Sequence, residues 1–374
     1  MSRIKVAMIG QRGLPATFGG IEHHVEELGS RLADLGHQVT VFCRSNYSPR
    51  QLAEHRGMRL RHSPTVGTKH LDAIAHSTSS TVAAMAARFD VIHYHGLGPG
   101  LLAPLPRYLS GARVVQTVHG MDNRRAKWGA GARAVLTSAA WTSTHVPDRT
   151  IVVSQALADH YTRAGRPAIY IPNGVSAQVD VPAGEITRRW GLERDRYLLF
   201  VGRLVPEKCP DQLIRCFGKV GADVKLVVVG GSSFTNGYTQ SLGRAADDDD
   251  RVVFPGWIYG SLLQELYSNA AAFVLPSTLE GLPLTLLEAA AHGTPCVASD
   301  IACNVEVLGS DGPGHRLFPV GDDTSLAEAL SRAVEEPEAE RAGTAGLKQD
   351  VVNRYNWDDA AAKTVEVYEE LVGR

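Results

Sequence analysis

No run of apolar residues in this chain approaches the roughly 18 that a membrane-crossing helix needs. The first ten residues carry too short an apolar stretch for a secretory leader, so a cytoplasmic protein is expected. Cysteine is scarce: Cys43, Cys209, Cys216, Cys296 and Cys303 are an odd number, scattered and without CxxC spacing. That excludes a disulfide framework and a cysteine zinc site, and leaves reduced, mostly buried thiols. A dinucleotide fingerprint is also missing. The glycine loop Gly10-Gln11-Arg12-Gly13 onward to Gly19-Gly20 does not read GxGxxG, and Cys43-Arg44 stand where an acidic residue should end the second strand. A dehydrogenase is thereby excluded. With no low-complexity segment, no repeat and a net charge of -2, disorder and nucleic-acid binding have little support.

What is present is a globular composition, 44% hydrophobic and 21% charged, over 374 residues, enough for two cores. The small net charge conceals an asymmetry. Residues 1–180 carry 20 Lys and Arg against 11 Asp and Glu, while the remainder carries 18 against 29. Twelve of the 14 histidines also lie in the first half. A basic half joined to an acidic one suggests that the first meets an anionic surface or acceptor, with unequal solvated faces as the open alternative.

Short β-rich apolar runs alternate with helical patterns, the pattern of parallel sheets built from βαβ units. Seven strands are expected near residues 4–9, 38–43, 59–62, 91–94, 113–118, 150–153 and 168–171. A second series is expected near 197–201, 224–229, 252–254, 272–275 and 296–299, after an irregular stretch at 176–185. Following the first strand, Ile21, Val25, Leu28, Leu32 and Leu35 recur at helical spacing, with Gly36 as the stop. Beyond a polar stretch, a last helix near 357–371 is apolar on one face through Ala361, Val365, Tyr368 and Leu371. The expected architecture is α/β: two doubly wound, Rossmann-like domains, residues 1–178 and 179–356, with 357–374 returning to the first. Ligands of such folds bind at the carboxyl ends of the strands, here in the cleft between domains.

Three loops follow strand ends. The Gly10–Gly20 loop precedes a helix and is a candidate anion contact, or a structural turn. Phe200-Val201-Gly202-Arg203-Leu204-Val205-Pro206-Glu207-Lys208 places two cations five residues apart, able to grip a diphosphate, Arg203 as a fork and Lys208 as a point charge. In the third, Ser277 to Gly293, Pro283 suits a first helical turn and Gly293 a stop, so Gly281 and Leu282 expose backbone N–H groups at a helix start. Glu280 and Glu288 flank that start, one able to face a sugar hydroxyl and the other a ribose. Asp247 to Asp250 contains a formal DxD but precedes a strand, and reads as a solvated acidic turn.

GRLxxEK followed by E-x7-E, in the second of two Rossmann-like domains, resembles the retaining GT-B glycosyltransferases of family 4. In the first half, FGGIE at 18–22, TVHG at 117–120, RAKWG at 125–129 and IPNGV at 171–175 resemble a bacterial subgroup of rhamnosyl- or exopolysaccharide-type enzymes. The resemblance spans nearly the whole chain and is far more specific for family than for substrate. It implies that Arg203 and Lys208 hold the donor diphosphate, and that Gly281, Leu282, Pro283 and Leu284 contact phosphates and sugar. Glu280 would bind donor sugar hydroxyls, Glu288 the ribose, and the loop with Gly256 and Trp257 the base. Gly19 and Gly20 would close on the diphosphate, and His119 would stand near the transferred sugar, making His119 and Glu280 the catalytic candidates. Lys208 is followed by Cys209 where the family usually has glycine, which tightens the loop.

The expected activity is a retaining transfer from a nucleoside-diphosphate sugar to a hydroxyl acceptor without a cofactor or metal, since cations and a helix start stabilise the leaving group. The acceptor is expected to be a lipid-linked or polysaccharide precursor, with peripheral contact to an anionic inner membrane face. Lys69, Arg124, Arg125, Lys127 and Trp128 are its candidate contacts. A soluble small-molecule acceptor and a sugar-nucleotide 2-epimerase remain open; a silent nucleotide-sugar binding subunit does not fit the intact site residues.

Overall fold

The computed structural model describes residues 3–17, 19–64, 71–121, 130–221, 223–232, 236–246 and 249–373. These fall into two compact units, residues 1–173 with 357–374, and residues 174–356.

The N-terminal unit is built on β1 (Lys5–Ile9), β2 (Gln38–Arg44), β3 (Glu54–His55), β4 (Met58–Ser63), β5 (Val91–His95), β6 (Arg113–Val118), β7 (Arg149–Val152) and β8 (Ile169–Tyr170), in the order β3-β4-β2-β1-β5-β6-β7-β8. All neighbours pair in parallel except β3 and β4. Strands β1, β2 and β5 are nearly continuous apolar runs because helices cover both faces of the sheet. The helix Gly20–Asp34 buries Val25, Leu28 and Leu32, as its spacing predicted. The final helix, Trp357–Val372, is part of this same unit; it buries Trp357, Ala361, Val365 and Tyr368, and Tyr368 shares a 2.6 Å hydrogen bond with His93 Nδ1.

The second unit contains β9 (Tyr197–Val201), β10 (Lys225–Val229), β11 (Val252–Gly256), β12 (Ala272–Leu275), β13 (Cys296–Ser299) and β14 (His315–Phe318). Its sheet runs β11-β10-β9-β12-β13-β14, all parallel, so the strand order reverses between β9 and β12. Loops after those two strands therefore stand at the topological switch point where doubly wound sheets bind ligands.

Three elements depart from the sequence reading. Strand β3 joins β4 through Arg56 and Gly57, both left-handed at φ 46° and 77°, a turn geometry that an arginine does not announce. The edge strand β14 begins with His315 and Arg316 and lacks an apolar signature. The polar stretch before the last helix is itself an 18-residue helix, Pro337–Arg354, anchored by Glu340 to Arg316 and Arg341 to Asp195 as much as by Leu347 and Val351.

Candidate functional site

At the end of β9 the chain passes under the end of β10. A Cβ on Gly230, whose φ is +138°, would lie 1.8 Å from the Gly202 carbonyl oxygen, so glycine is obligatory where these loops cross. Past Gly202, Arg203 is half-buried, and a short 3-10 turn, Pro206–Lys208, brings Lys208 back over Gly202, whose added Cβ would meet the Lys208 Cδ at 3.0 Å. The stem is thereby packed and the ammonium is aimed across to β12. There Lys208 Nζ donates to Glu280 Oε1 at 2.6 Å, both side chains about one-eighth exposed, at 12% and 13%. Ser277 Oγ donates to the same oxygen at 2.8 Å. Behind it, Ser299 Oγ donates to the Ser277 carbonyl at 2.5 Å and Asn304 Nδ2 to Ser299 Oγ at 3.2 Å, a buried support reaching from β13. Sequence spacing brought Lys208 and Glu280 forward as candidates; the supporting Ser277, Ser299 and Asn304 have no local pattern that singles them out.

The helix after β12 runs Leu284–His292, with Pro283 as N-cap at φ -76° and ψ 106° rather than inside the first turn, and Gly293 left-handed at its C-terminal end. Gly281, Leu282 and Pro283 are buried leading into that start, where the first N–H groups of a helix lack intrahelical partners. Glu288, on the second turn, accepts from the Tyr267 hydroxyl at 2.9 Å. Burial, then the neighbouring carboxylate, pushes the Tyr267 phenol well above its usual range, so it stays a donor. Tyr267 in turn stacks on His292 at 5.1 Å between ring centres, which fixes the carboxylate from below.

At the end of β11, Gly256 is left-handed at φ 76° and turns the chain into Trp257. Its indole Nε1 would lie 2.5 Å from a Cβ on Gly231, and it runs parallel to Tyr259 at 6.3 Å and 7°. Two parallel rings beside the β9 and β10 loops offer an aromatic face to a flat base. Asp249, of the acidic stretch, pairs with Arg251 at 2.7 Å; Asp247 and Asp248 lie outside the described residues.

In the N-terminal unit, Gly19 caps the helix that begins at Gly20. The preceding loop already has backbone donors engaged: Arg12 N donates to Glu22 Oε1 at 2.9 Å and Ala16 N to Glu26 Oε1 at 3.2 Å. His119 follows β6 directly and meets two histidines that spacing did not bring forward, His24 at 4.5 Å and His95 at 5.8 Å between ring centres. His93 and His95, two apart on β5, share a sheet face, the one sequence signal for this cluster. Burial drives the pKa of His24 down to about 4 and those of His95 and His119 well below the usual range, so all three rings are neutral. The acceptor candidates Lys69, Arg124, Arg125, Lys127 and Trp128 lie outside the described residues.

Two family models match adjacent stretches of the chain: Glycosyltransferase Family 4 over residues 18–179, and Glycosyl transferases group 1 over residues 184–349. Among curated proteins, an alpha-maltose-1-phosphate synthase of Mycobacterium tuberculosis is 28% identical, the match covering 98% of this chain and 100% of that protein. A phosphatidyl-myo-inositol mannosyltransferase of Mycolicibacterium smegmatis is also 28% identical, over 95% of this chain and 91% of the relative. Of solved structures, a sucrose-phosphate synthase from Thermosynechococcus elongatus superposes with a TM-score of 0.87 at 22% identity, covering 99% and 100% of the two chains. The HepE protein of Anabaena, in complex with UDP and glucose, superposes with a TM-score of 0.83 at 18% identity, covering 98% and 100%.

Proposed function

The chain is a glycosyltransferase of family 4 with the GT-B fold, and from that premise we propose that it transfers a sugar from a nucleoside-diphosphate donor to a hydroxyl acceptor with retention of anomeric configuration. The observation that carries the donor assignment is the partly buried Lys208–Glu280 pair at the switch point, flanked by Arg203 and the start of the helix Leu284–His292. Cleaving the anomeric carbon to oxygen bond puts negative charge on the diphosphate and oxocarbenium character on the sugar. Lys208, Arg203 and the helix start neutralise the first without a divalent ion at the diphosphate; Glu280, held by Ser277, faces the sugar hydroxyls, and Glu288, held by Tyr267, the ribose. Trp257 offers its face to the base. Gly19, Gly20 and His119 are the N-terminal unit's proposed contributions. With no nucleophile paired to a base in the sequence, attack from the leaving-group face is the favoured course, the acceptor proton passing to the departing phosphate oxygen. HepE, solved with UDP and with UDP-glucose, supports a nucleotide-sugar donor.

For the acceptor, the basic N-terminal half and a relative named for phosphatidyl-myo-inositol support a lipid-linked saccharide at the inner membrane face, with Lys69, Arg124, Arg125, Lys127 and Trp128 as its contacts. The N-terminal motif set supports the rhamnosyl or exopolysaccharide type. A panel of nucleoside diphosphates and their sugars tests the donor: at one hundred times Kd a ligand stabilises by about 2.7 kcal/mol, and a chain whose melting no member shifts does not use such donors. Transfer of label from the donor so identified into a solvent-extractable product then tests the acceptor.

A further inference from the structure

The histidine cluster of the N-terminal unit is not explained by one residue near a sugar. Three imidazoles converge from separate elements: His24 from the helix Gly20–Asp34, His95 from the end of β5 and His119 from the residue after β6. One ring nitrogen from each lies within 4.8 Å of the others. Their ring centres stand 4.5, 5.3 and 5.8 Å apart. Three imidazoles on a tetrahedral ion at Zn–N bonds of about 2.0–2.1 Å have ring centres roughly 5 Å apart, close to the spacing of these three rings.

Polar accounting points the same way. His24 Nε2, both ring nitrogens of His95, and His119 Nε2 are buried without a hydrogen-bond partner, although a neutral imidazole carries one donor and one acceptor. Leaving such groups unmade costs about 1–3 kcal/mol each, so clustering them in a core needs a reason. His93, the fourth ring, is satisfied in full by Tyr368 and by Thr117, and stands outside the set. The tautomer of His24 is also fixed: its Nδ1 lies 2.8 Å from Asn173 Oδ1, which as an acceptor holds the proton on Nδ1 and leaves the lone pair on the buried Nε2. A carbonyl oxygen behind a histidine, setting its tautomer, is the usual outer support of a metal ligand.

We propose that His24, His95 and His119 form a three-imidazole site for a divalent transition metal ion, zinc by preference, with Asn173 as its outer support. Neutral nitrogen donors of this kind suit Zn2+ over Mg2+ or Ca2+, which take oxygen. Three protein ligands leave a tetrahedral ion one open position, the arrangement of sites that bind a further oxygen ligand rather than of closed structural sites. All three histidines and Asn173 belong to the N-terminal unit, whereas Lys208 and Arg203 belong to the other.

The test uses the full chain, stripped with a chelator and titrated with Co2+ as a visible probe and with Zn2+ in a calorimeter. The expected result is one equivalent of either ion per chain, with the intense visible bands of a four-coordinate cobalt site. His24→Gln and His95→Gln should abolish that binding, and Asn173→Leu should weaken it by about 10- to 100-fold. His55→Gln, which alters a histidine paired with Glu26 outside the cluster, should leave it unchanged. So should Lys208→Ala, which separates failure of this site from failure of the donor site. Should a histidine variant not fold, X-ray absorption of the zinc-loaded wild-type chain decides alone, by nitrogen neighbours at about 2.0–2.1 Å. A wild-type chain that takes up no cobalt, or binds it equally after both histidine changes, overturns the proposal.

Discussion

Cys209 adopts φ 48° and ψ 41°, the left-handed region that side chains other than glycine occupy at a cost of about 1–2 kcal/mol. It joins the turn carrying Lys208 to the helix Pro210–Phe217, so the family's usual glycine would meet a real backbone demand there. Cys209→Gly should therefore raise the unfolding midpoint by the equivalent of up to about 1 kcal/mol, part of the relief being offset by the freer unfolded chain. A denaturant titration reads this directly, and a destabilised variant would mean that the thiol's packing outweighs the backbone strain. Lys208 makes a different prediction. A hydrogen bond to a charged group contributes about 1.5–3 kcal/mol, so Lys208→Ala should lower kcat/KM for the donor by about ten- to a hundredfold. Unchanged kinetics would remove the lysine from the site. The charged members of this constellation were legible because their residue types stand at fixed short spacings after strands. Their partners were not: Tyr267 meets Glu288 through the packing of the helices Gly260–Asn269 and Leu284–His292, and Lys208 meets Glu280 through the pairing of β9 with β12, neither of which spacing encodes.

Among elements, those with one apolar stripe or a continuous apolar run were legible, and those held by polar contacts or by an unusual turn were not. The alternating series of strands and the helix Gly20–Asp34 follow from periodicity, whereas β3, β14 and the helix Pro337–Arg354 depend on the left-handed Arg56, a polar edge and buried ion pairs. The helix Leu71–Ala86 shows a further consequence of polar burial. It presses His76, fully buried, against the Arg44–Asp72 ion pair, and burial followed by the Arg44 charge lowers its pKa to about 4. Because the folded value lies below the unfolded one, the neutral ring costs nothing above pH 6.5, and stability falls as pH drops from 6.5 towards 4, where only the unfolded chain takes up the proton. The slope from this residue is at most about 1.4 kcal/mol per pH unit. In His76→Leu the pH dependence of the unfolding free energy over that window should flatten by that amount; an identical slope would show that other groups carry it.

For the whole molecule, the division into units changes how the charge asymmetry is understood. The final helix brings Asp358, Asp359, Glu366, Glu369 and Glu370 to the basic unit, which then holds 22 Lys and Arg against 15 Asp and Glu, while residues 174–356 hold 16 against 25. Two of those acids are spent on the unit's own cations, Asp358 on Arg31 at 2.6 Å and Glu370 on Arg149. The helix is thus an electrostatic and an apolar complement: it packs against the helix Gly20–Asp34, where Trp357 meets His23 and His24, and reaches β5 through Tyr368, each such buried side chain contributing about 1.5–3 kcal/mol. Against a typical domain stability of about 5–15 kcal/mol, losing it should unfold the unit it belongs to and spare the other, whose core of Leu198, Phe200, Leu213 and Leu226 contains none of its residues. A chain ending at residue 356 should accordingly lose one calorimetric transition and keep the second at its original temperature. The milder Tyr368→Phe, which leaves His93 Nδ1 without its hydroxyl, should destabilise only the transition that the truncation removes, by about 1–3 kcal/mol. Equal shifts in both transitions would show that the two units unfold as one, and that the helix stabilises the chain as a whole.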